Sequence, residues 1–412
     1  MDRKLEVVLK YFVYLFPLFL LTGPFLPDLI LSLSVIFFLI LVINKKEFQI
    51  FNNFYFKIFL IFLTYLILRS AFTLDFLSLR PSIFYFRFGI FSLLIFYLLE
   101  KKILNLKICT LIISFTLLIL FIDASVQYIT GKNTFGFAIY HPERISSFFQ
   151  DELILGGFSF RIFVILVPIF FYLNLKNKNI YSFVVIVTIF LLIFYSAERT
   201  ALALMLMFVT IFILFWPIKL KIKIFFTLII TFFIITFLYF SETSRNRLIN
   251  KTIDTINLNI DKKIVFFSAV HSSHMLTGIE MFKDNFLFGK GPKMYRKVCD
   301  DVNFKKFRVG DHPCTTHPHN ILVQFLAETG LVGVTFLIIF YYKLSKIILL
   351  NIFSRNKKEY EFSIIILSSI TIFNFFPFLP SGNFFNNWFS MISYLPIPFL
   401  MFIYNNRVYS NK

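Results

Sequence analysis

The sequence predicts an all-α polytopic membrane protein, and three observations carry that prediction. Apolar runs of about 20 residues, each long enough to cross ~30 Å of hydrocarbon, recur along the whole length of the 412 residues. Hydrophobic residues make up 58% of the chain and charged residues only 15%, whereas a soluble domain carries about 25% charged residues. The alternating segments of about ten residues that build membrane barrels are missing. A soluble globular protein and a β-barrel are excluded.

Twelve transmembrane helices are expected, at roughly 6–22, 28–43, 54–72, 83–99, 103–122, 153–174, 179–196, 199–216, 222–240, 319–341, 361–379 and 385–404. The connections orient them, because cytoplasmic loops collect Lys and Arg. With the amino end inside, the inner connections hold Arg3, Lys4 and Lys10; Lys45, Lys46 and Lys57; Lys101, Lys102 and Lys107; and Lys176 and Lys178. Further along come Lys219, Lys221 and Lys223; Lys343, Lys346, Arg355, Lys357 and Lys358; and Arg407 and Lys412, for 21 basic residues in all. The short outer connections hold only Arg69, Arg80, Lys132, Arg144 and Arg199. Both termini are therefore expected in the cytoplasm. The first apolar run has no small-residue cleavage site before Pro24 and is expected to be a retained helix. The excess of Phe, Ile, Lys and Asn suggests the codon usage of an AT-rich bacterial genome.

Residues 1–412 form one expected transmembrane domain, and a large loop, 241–318, is inserted between spans 9 and 10 on the outer side. That loop carries 13 Lys/Arg against 8 Asp/Glu, a net of +5, and is long enough that its charge does not dictate topology. All six histidines (His141, His271, His274, His312, His317 and His319) fall on the outer face. Polar chemistry is thus expected outside, away from nucleotide-activated donors. Cys299 and Cys314 in the large loop are candidates for a disulfide, a cross-link of about 3 kcal/mol in the chain-entropy model. Two free thiols are the alternative. Cys109 lies in a span as a packing residue.

The stretch from His317 to Val334, HPHNILVQFLAETGLVGV, joins a polar, histidine-bearing end to an apolar helix. If that helix starts near His319, the positive end of the helix dipole favours neutral imidazole, the form a general base needs. Gly330 and Gly333, three apart, let a neighbouring helix approach. The alternative is that His319 caps the helix and Asn320 anchors it at the interface. His271-x-x-His274 with His312, His317 and His319 also admits a metal site, although the spacing is not diagnostic and no acidic ligand is placed beside them. The turn Gly289-Lys290-Gly291 is not a P-loop, because no Gly-Lys-Ser/Thr follows.

His319-Asn320, nine residues, Gly330, two residues and Gly333, placed after a large loop and about nine spans, resembles the O-antigen ligase and O-antigen polymerase superfamily. The likeness covers span count, orientation, loop position and further motifs. It implies a GT-C-like helical fold with a mainly helical periplasmic loop. It also implies metal-independent, inverting transfer of a glycan from undecaprenyl diphosphate to a hydroxyl of lipid A-core, with no cofactor. An O-antigen polymerase joining lipid-linked repeats is the alternative acceptor choice, and a polysaccharide transporter or flippase a more remote one. A transporter would have broken helices in repeated halves, and the spans here read as mostly uninterrupted.

The resemblance implies a role for His319 as the catalytic base, with Asn320, Gly330 and Gly333 as supporting motif residues. It makes Arg199, in SAERTAL, a diphosphate ligand able to fork onto phosphate oxygens; the alternative is an interfacial arginine paired with Glu198. In HPERISSFFQDELILGGFSFRIF, Arg144 and Arg161 are further diphosphate candidates. For these two, and for Arg87, an ion pair with Asp151, Glu152 or Asp75 is the competing reading. Family loops carry an arginine at the start of a helix where this chain has His271 and His274. His274, Lys290 and Arg296 are therefore candidates for the second diphosphate contact.

Overall fold

A computed structural model describes residues 2–257, 259–260, 263–264, 267–308, 312, 314–354 and 359–410. Arg355, Lys357, Lys358 and Lys412, expected in inner connections, lie outside the described residues. The chain is a helical bundle built from α1 (Asp2–Phe19), α2 (Phe25–Lys45), α3 (Phe54–Thr73), α4 (Phe76–Phe84), α5 (Phe86–Glu100) and α6 (Leu106–Thr130). It continues through α7 (Leu155–Phe163), α8 (Leu166–Tyr172), α9 (Lys178–Ser196), α10 (Arg199–Phe215) and α11 (Leu220–Phe240). The large loop contains α12 (Glu242–Arg245), α13 (Lys251–Asn257), α14 (Ala269–Asp284), α15 (Tyr295–Val298) and α16 (Val302–Lys305), plus a two-residue strand pair, β1 (Asn259–Ile260) with β2 (Lys263–Ile264). The bundle closes with α17 (Ile321–Ile352), α18 (Glu359–Asn374), α19 (Asn387–Tyr394) and α20 (Pro396–Ser410).

The twelve expected spans all fall on these helices. Among the described residues, eight helices are long and apolar enough to cross a membrane, taking α4 with α5 and α7 with α8 as continuous. The helices α10, α18, α19 and α20 are shorter, and α1 carries five charged residues. The buried centre is α7–α8, with 94% of its residues inside the bundle; α11, with only 11% inside, turns an apolar surface outward.

Most spans are uninterrupted, as expected, but not all of them. Between α7 and α8 the helix breaks at Val164, the carbonyl that Pro168 cannot bond for want of an N–H. Pro396 and Pro398 likewise leave the carbonyls of Ile392 and Tyr394 without their helical donors, and the last span breaks at Leu395. Polar capping residues start several helices: Asn53 on α3, Asp75 on α4, Asn105 on α6 and Asn320 on α17 each accept a backbone N–H.

One end of the bundle gathers basic connections. Lys45 pairs with Glu6, Lys101 with Glu47 at 2.6 Å, and Lys178 with Glu359. The large loop docks at the other end, and its docking reshapes α17. Gly330 adopts φ 62° and ψ −165°, so the helix opens there. The carbonyls of Ala327 and Glu328 accept from the N–H groups of Lys290 and Gly291, each at 2.8 Å, instead of from the helix. The freed N–H groups of Leu331 and Val332 donate to Phe286 and Leu287, at 3.0 and 3.2 Å. The α3 side chains complete the joint: Arg69 donates to the carbonyls of Phe288 (3.0 Å) and Gly289 (2.5 Å), and the Tyr65 hydroxyl donates to that of Thr329.

This corrects the reading of Gly330 and Gly333 as a helix-approach pair. A Cβ on Gly330 would collide with the carbonyl of Leu287, and one on Gly333 with the side chain of Thr329 in its own helix. The loop is also not wholly hydrophilic. At the joint it reaches the depth of the span and turns Phe286, Leu287 and Phe288 outward, each about half exposed.

Gly330→Ala will therefore cost stability, by at least about 1–3 kcal/mol for the left-handed backbone alone. Thermal unfolding of the intact protein in detergent measures it; an unchanged melting temperature would refute the account of the joint.

Candidate active site

Asn320 organises the polar end of α17. Its side-chain oxygen accepts from the N–H of Val323 at 2.9 Å, and its amide donates to the carbonyl of Pro377 at 2.9 Å. The helix therefore begins at Ile321, two residues later than a start at His319, and the cap is Asn320. His319 lies just outside with φ 55°, a left-handed conformation that few side chains adopt, and its carbonyl accepts from Ser381 N at 2.9 Å. Below it, Gln324 donates to Asn383 (2.8 Å) and to Glu328 (2.9 Å), and Asn383 donates to the carbonyl of Thr316 at 3.3 Å. Glu328 in turn accepts from Tyr295 N at 3.0 Å, which fixes the α15 turn.

Four of the six histidines converge. The ring of His319 lies 4.1 Å from that of His317, 5.2 Å from His271 and 5.4 Å from His274, centre to centre. The α14 helix supplies the last two. Ser268 caps it, and the Tyr295 hydroxyl anchors it by donating to the carbonyl of His274 at 2.9 Å. His317 is held at both ring nitrogens, by Thr316 Oγ1 at 2.9 Å and by the Ser381 carbonyl at 3.1 Å. Because a carbonyl only accepts, Nε2 of His317 carries the proton. His271 Nδ1 meets Ser268 Oγ at 3.0 Å. His319 differs: among the described residues neither of its ring nitrogens is bonded.

Burial and the crowding of imidazoles keep the cluster neutral. Burial first, then Arg199 and His274, push His271 down to about 4. Burial brings His317 to about 4 against the Ser381 carbonyl, which pulls the other way. His319 is lowered furthest, by burial and then by His317, His271 and His274. The rings pack against one another, and among the described residues no three His, Cys, Asp or Glu side chains form a metal-holding group.

The arginine candidates separate. Arg144 donates to the carbonyls of Ser196 (3.1 Å) and Leu153 (2.6 Å) and lies 3.7 Å from Glu198. Glu198 caps α7 by accepting from Gly156 N at 2.8 Å and Gly157 N at 3.0 Å. Arg161 donates to the carbonyl of Gly157 at 3.1 Å and stacks on Phe389 at 5.1 Å. The competing partners Asp151, Glu152 and Asp75 are not used by either: Glu198 serves Arg144, while Asp75 pairs with Lys297. Arg87 pairs with Asp28 at 3.2 Å. Lys290 pairs with Asp284 and sits over Phe304.

Arg199 is not paired with Glu198. Its one side-chain hydrogen bond among the described residues is to the Lys251 carbonyl at 3.5 Å, and its charge acts on His271. Arg296 has no side-chain partner among the described residues, and its Nε is buried. Cys299 and Cys314 are bridged, with Cα atoms 5.8 Å apart, which ties α15 to the segment leading into His317.

Sequence reasoning offered Glu198 only as a partner for Arg199, and it missed Gln324, Glu328 and the connector holding Ser381 and Asn383. A signal for two of them is present: Asn320, Gln324 and Glu328 recur every four residues, a polar stripe on an otherwise apolar helix.

Removing Glu198 will leave one buried guanidinium group, Arg161, and one half-buried, Arg144, without their carboxylate. Glu198→Ala is expected to cost about 3–5 kcal/mol of stability, with Glu198→Gln in between. Melting curves of the two variants check this; if Glu198→Ala melts like the parent, the cluster is not structural.

Residues 183–338 match the family model described as O-antigen ligase. The matched region contains Arg199, the four converging histidines, Gly330 and Gly333, and it supports the resemblance to the O-antigen ligase and polymerase superfamily. No curated protein matches the chain.

Proposed function

We propose that this multi-pass membrane relative of the O-antigen ligases transfers a glycan from undecaprenyl diphosphate to a hydroxyl of lipid A-core, on the periplasmic face of the inner membrane. The observation that carries this reading is the imidazole of His319, neutral, half-buried, unbonded among the described residues and set among three other histidines, one of which feels Arg199, a cation with no carboxylate partner among the described residues.

His319 takes the proton of the acceptor hydroxyl as its oxygen attacks the anomeric carbon. His317 cannot serve, because both its nitrogens are engaged; it holds the rings in place. Arg199 meets the negative charge that builds on the departing diphosphate, in a setting where burial strengthens the interaction. Attack opposite the leaving group inverts the anomeric centre. Arg144 and Arg161 set the position of α7 rather than touching phosphate, and Lys290 is committed to Asp284. His274 presents its ring to His319 and positions it.

Three outcomes are expected. His319→Ala will lower transfer by at least about 10²–10⁴-fold while the protein still folds and inserts. Purified enzyme assayed with a lipid-linked donor tests this, and full activity would remove His319 as the base. Because a lowered imidazole pKa leaves the neutral form dominant at every pH above it, kcat/KM should stay level from about pH 5 to 8. An acid limb centred near the ordinary histidine value would contradict the buried, neutral cluster. In a deletion strain, carrier-linked polymer with uncapped core is expected. Core capped with single repeats would instead make the enzyme a polymerase.

A further inference from the structure

A second group of cations, apart from Arg199, lies near the histidine cluster, and the proposed mechanism does not use it. The turn from Gly289 to Val298 seats against the corner between α3 and α4. A Cβ on Gly291 would strike Thr73 and Ser78, Lys297 pairs with Asp75, and Ser70, Ser78 and Ser82 are hydrogen-bonded to one another in the corner. Along this seam the turn carries Lys293 and Arg296, and α4 carries Arg80.

Among the described residues none of these three side chains pairs with a carboxylate. The Arg296 Nε is buried with no partner at all. Lys293 is held at φ 60°, a fixed and unusual backbone position for a lysine. Glu328 is the carboxylate near enough to act on Lys293, and its oxygens already accept from Tyr295 N and the Gln324 amide. Glu328 also acts on Arg296, so three positive charges share one committed carboxylate in a part-buried seam, an excess that calls for an anion.

The two free cations beside the cluster approach from different neighbours. Arg199 acts on His271, whose ring is 5.2 Å from that of His319. Arg296 acts on His317, whose ring is 4.1 Å from it. In a displacement with inversion the leaving group and the nucleophile take opposite sides of the reacting carbon. With the diphosphate taken by Arg199, the second group of cations remains for the other substrate, the acceptor. We propose that Arg80, Lys293 and Arg296 form an acceptor subsite that binds a phosphate group on the acceptor saccharide, separate from the donor's diphosphate. This rests on the transferase reading above.

Burial, and then the charge of Arg296, lower the Lys293 amine to about 8, so it is reactive toward acylating reagents near that pH and reports its own occupancy. The full chain in lipid nanodiscs is labelled at amines, and the Lys293 peptide is read by mass spectrometry. Labelling is followed against phosphorylated lipid A-core, the same lipid after dephosphorylation of its saccharide, and undecaprenyl diphosphate.

The phosphorylated acceptor should protect Lys293 at concentrations about tenfold lower than the dephosphorylated one, the loss expected for a charge-assisted contact. Undecaprenyl diphosphate should leave labelling unchanged. Arg296→Ala and the surface variant Arg80→Ala should each weaken protection, and Arg296→Lys should restore part of it. Equal protection by both acceptors, or protection by undecaprenyl diphosphate, would overturn the assignment. The measurement needs no turnover. A protein that binds the phosphorylated acceptor here but transfers nothing would overturn the transferase reading and leave the phosphate site standing.

Discussion

The exchange of backbone hydrogen bonds at Gly330 is the constraint on which the rest of the site depends. A continuous α17 would bond Leu331 to Ala327 and Val332 to Glu328. Instead the segment 286–291 lies in the gap and satisfies all four groups. At the depth of a membrane span no water can replace a missing partner, so irregular backbone survives there only when every donor and acceptor is met by protein. Tyr65 and Arg69 of α3 meet the remaining carbonyls, and the cost of a charged side chain at that depth is offset by the bonds it makes. Once the joint is set, Glu328 grips Tyr295, Tyr295 grips His274, and the α14 histidines come to rest against His319.

The second anchor is the connector between α18 and α19. Its Ser381 supplies an N–H to His319 and a carbonyl to His317, and Asn383 reaches both Gln324 and Thr316. The strained His319 backbone persists because segments on either side over-determine it. Strain of this kind concentrates where a side chain must point in one direction. The disulfide between Cys299 and Cys314 shortens the path between the two anchors, so the loop cannot drift from the end of α17.

Much of the fold was legible in the sequence because span length and apolar content are imposed by the bilayer. Every expected span lies on helical residues, whereas the bridge between Cys299 and Cys314 was one of two open readings of the loop's cysteines. The breaks at Val164 and Leu395 were marked by prolines, but a proline alone does not say whether neighbours will re-satisfy the freed groups. Other features depended on long-range geometry. Gly330 reads the same in a helix-packing motif as in a helix break, because both need a missing Cβ; only the position of residues 286–291 separates them. Arg144, Arg161 and Arg199 look alike in sequence, and the first two are consumed by Glu198 and backbone carbonyls while the third is not. That division is set by where Glu198 falls when α7 packs against α9 and α10.

The inserted segment also bears on how the protein is assembled. Residues 286–291 emerge from the ribosome before α17, yet the carbonyls and N–H groups they bond belong to α17. Until that helix arrives, the segment has no partners at membrane depth, and α17 itself has no reason to open. The two must therefore find each other after both have been translated, with α3 already in place to receive Phe288 and Gly289. Opening α17 exchanges two bonds within the helix for four to the loop. Completion of the histidine-bearing end is in this sense a late docking of one chain segment into another, with Arg69 and Tyr65 as the latch.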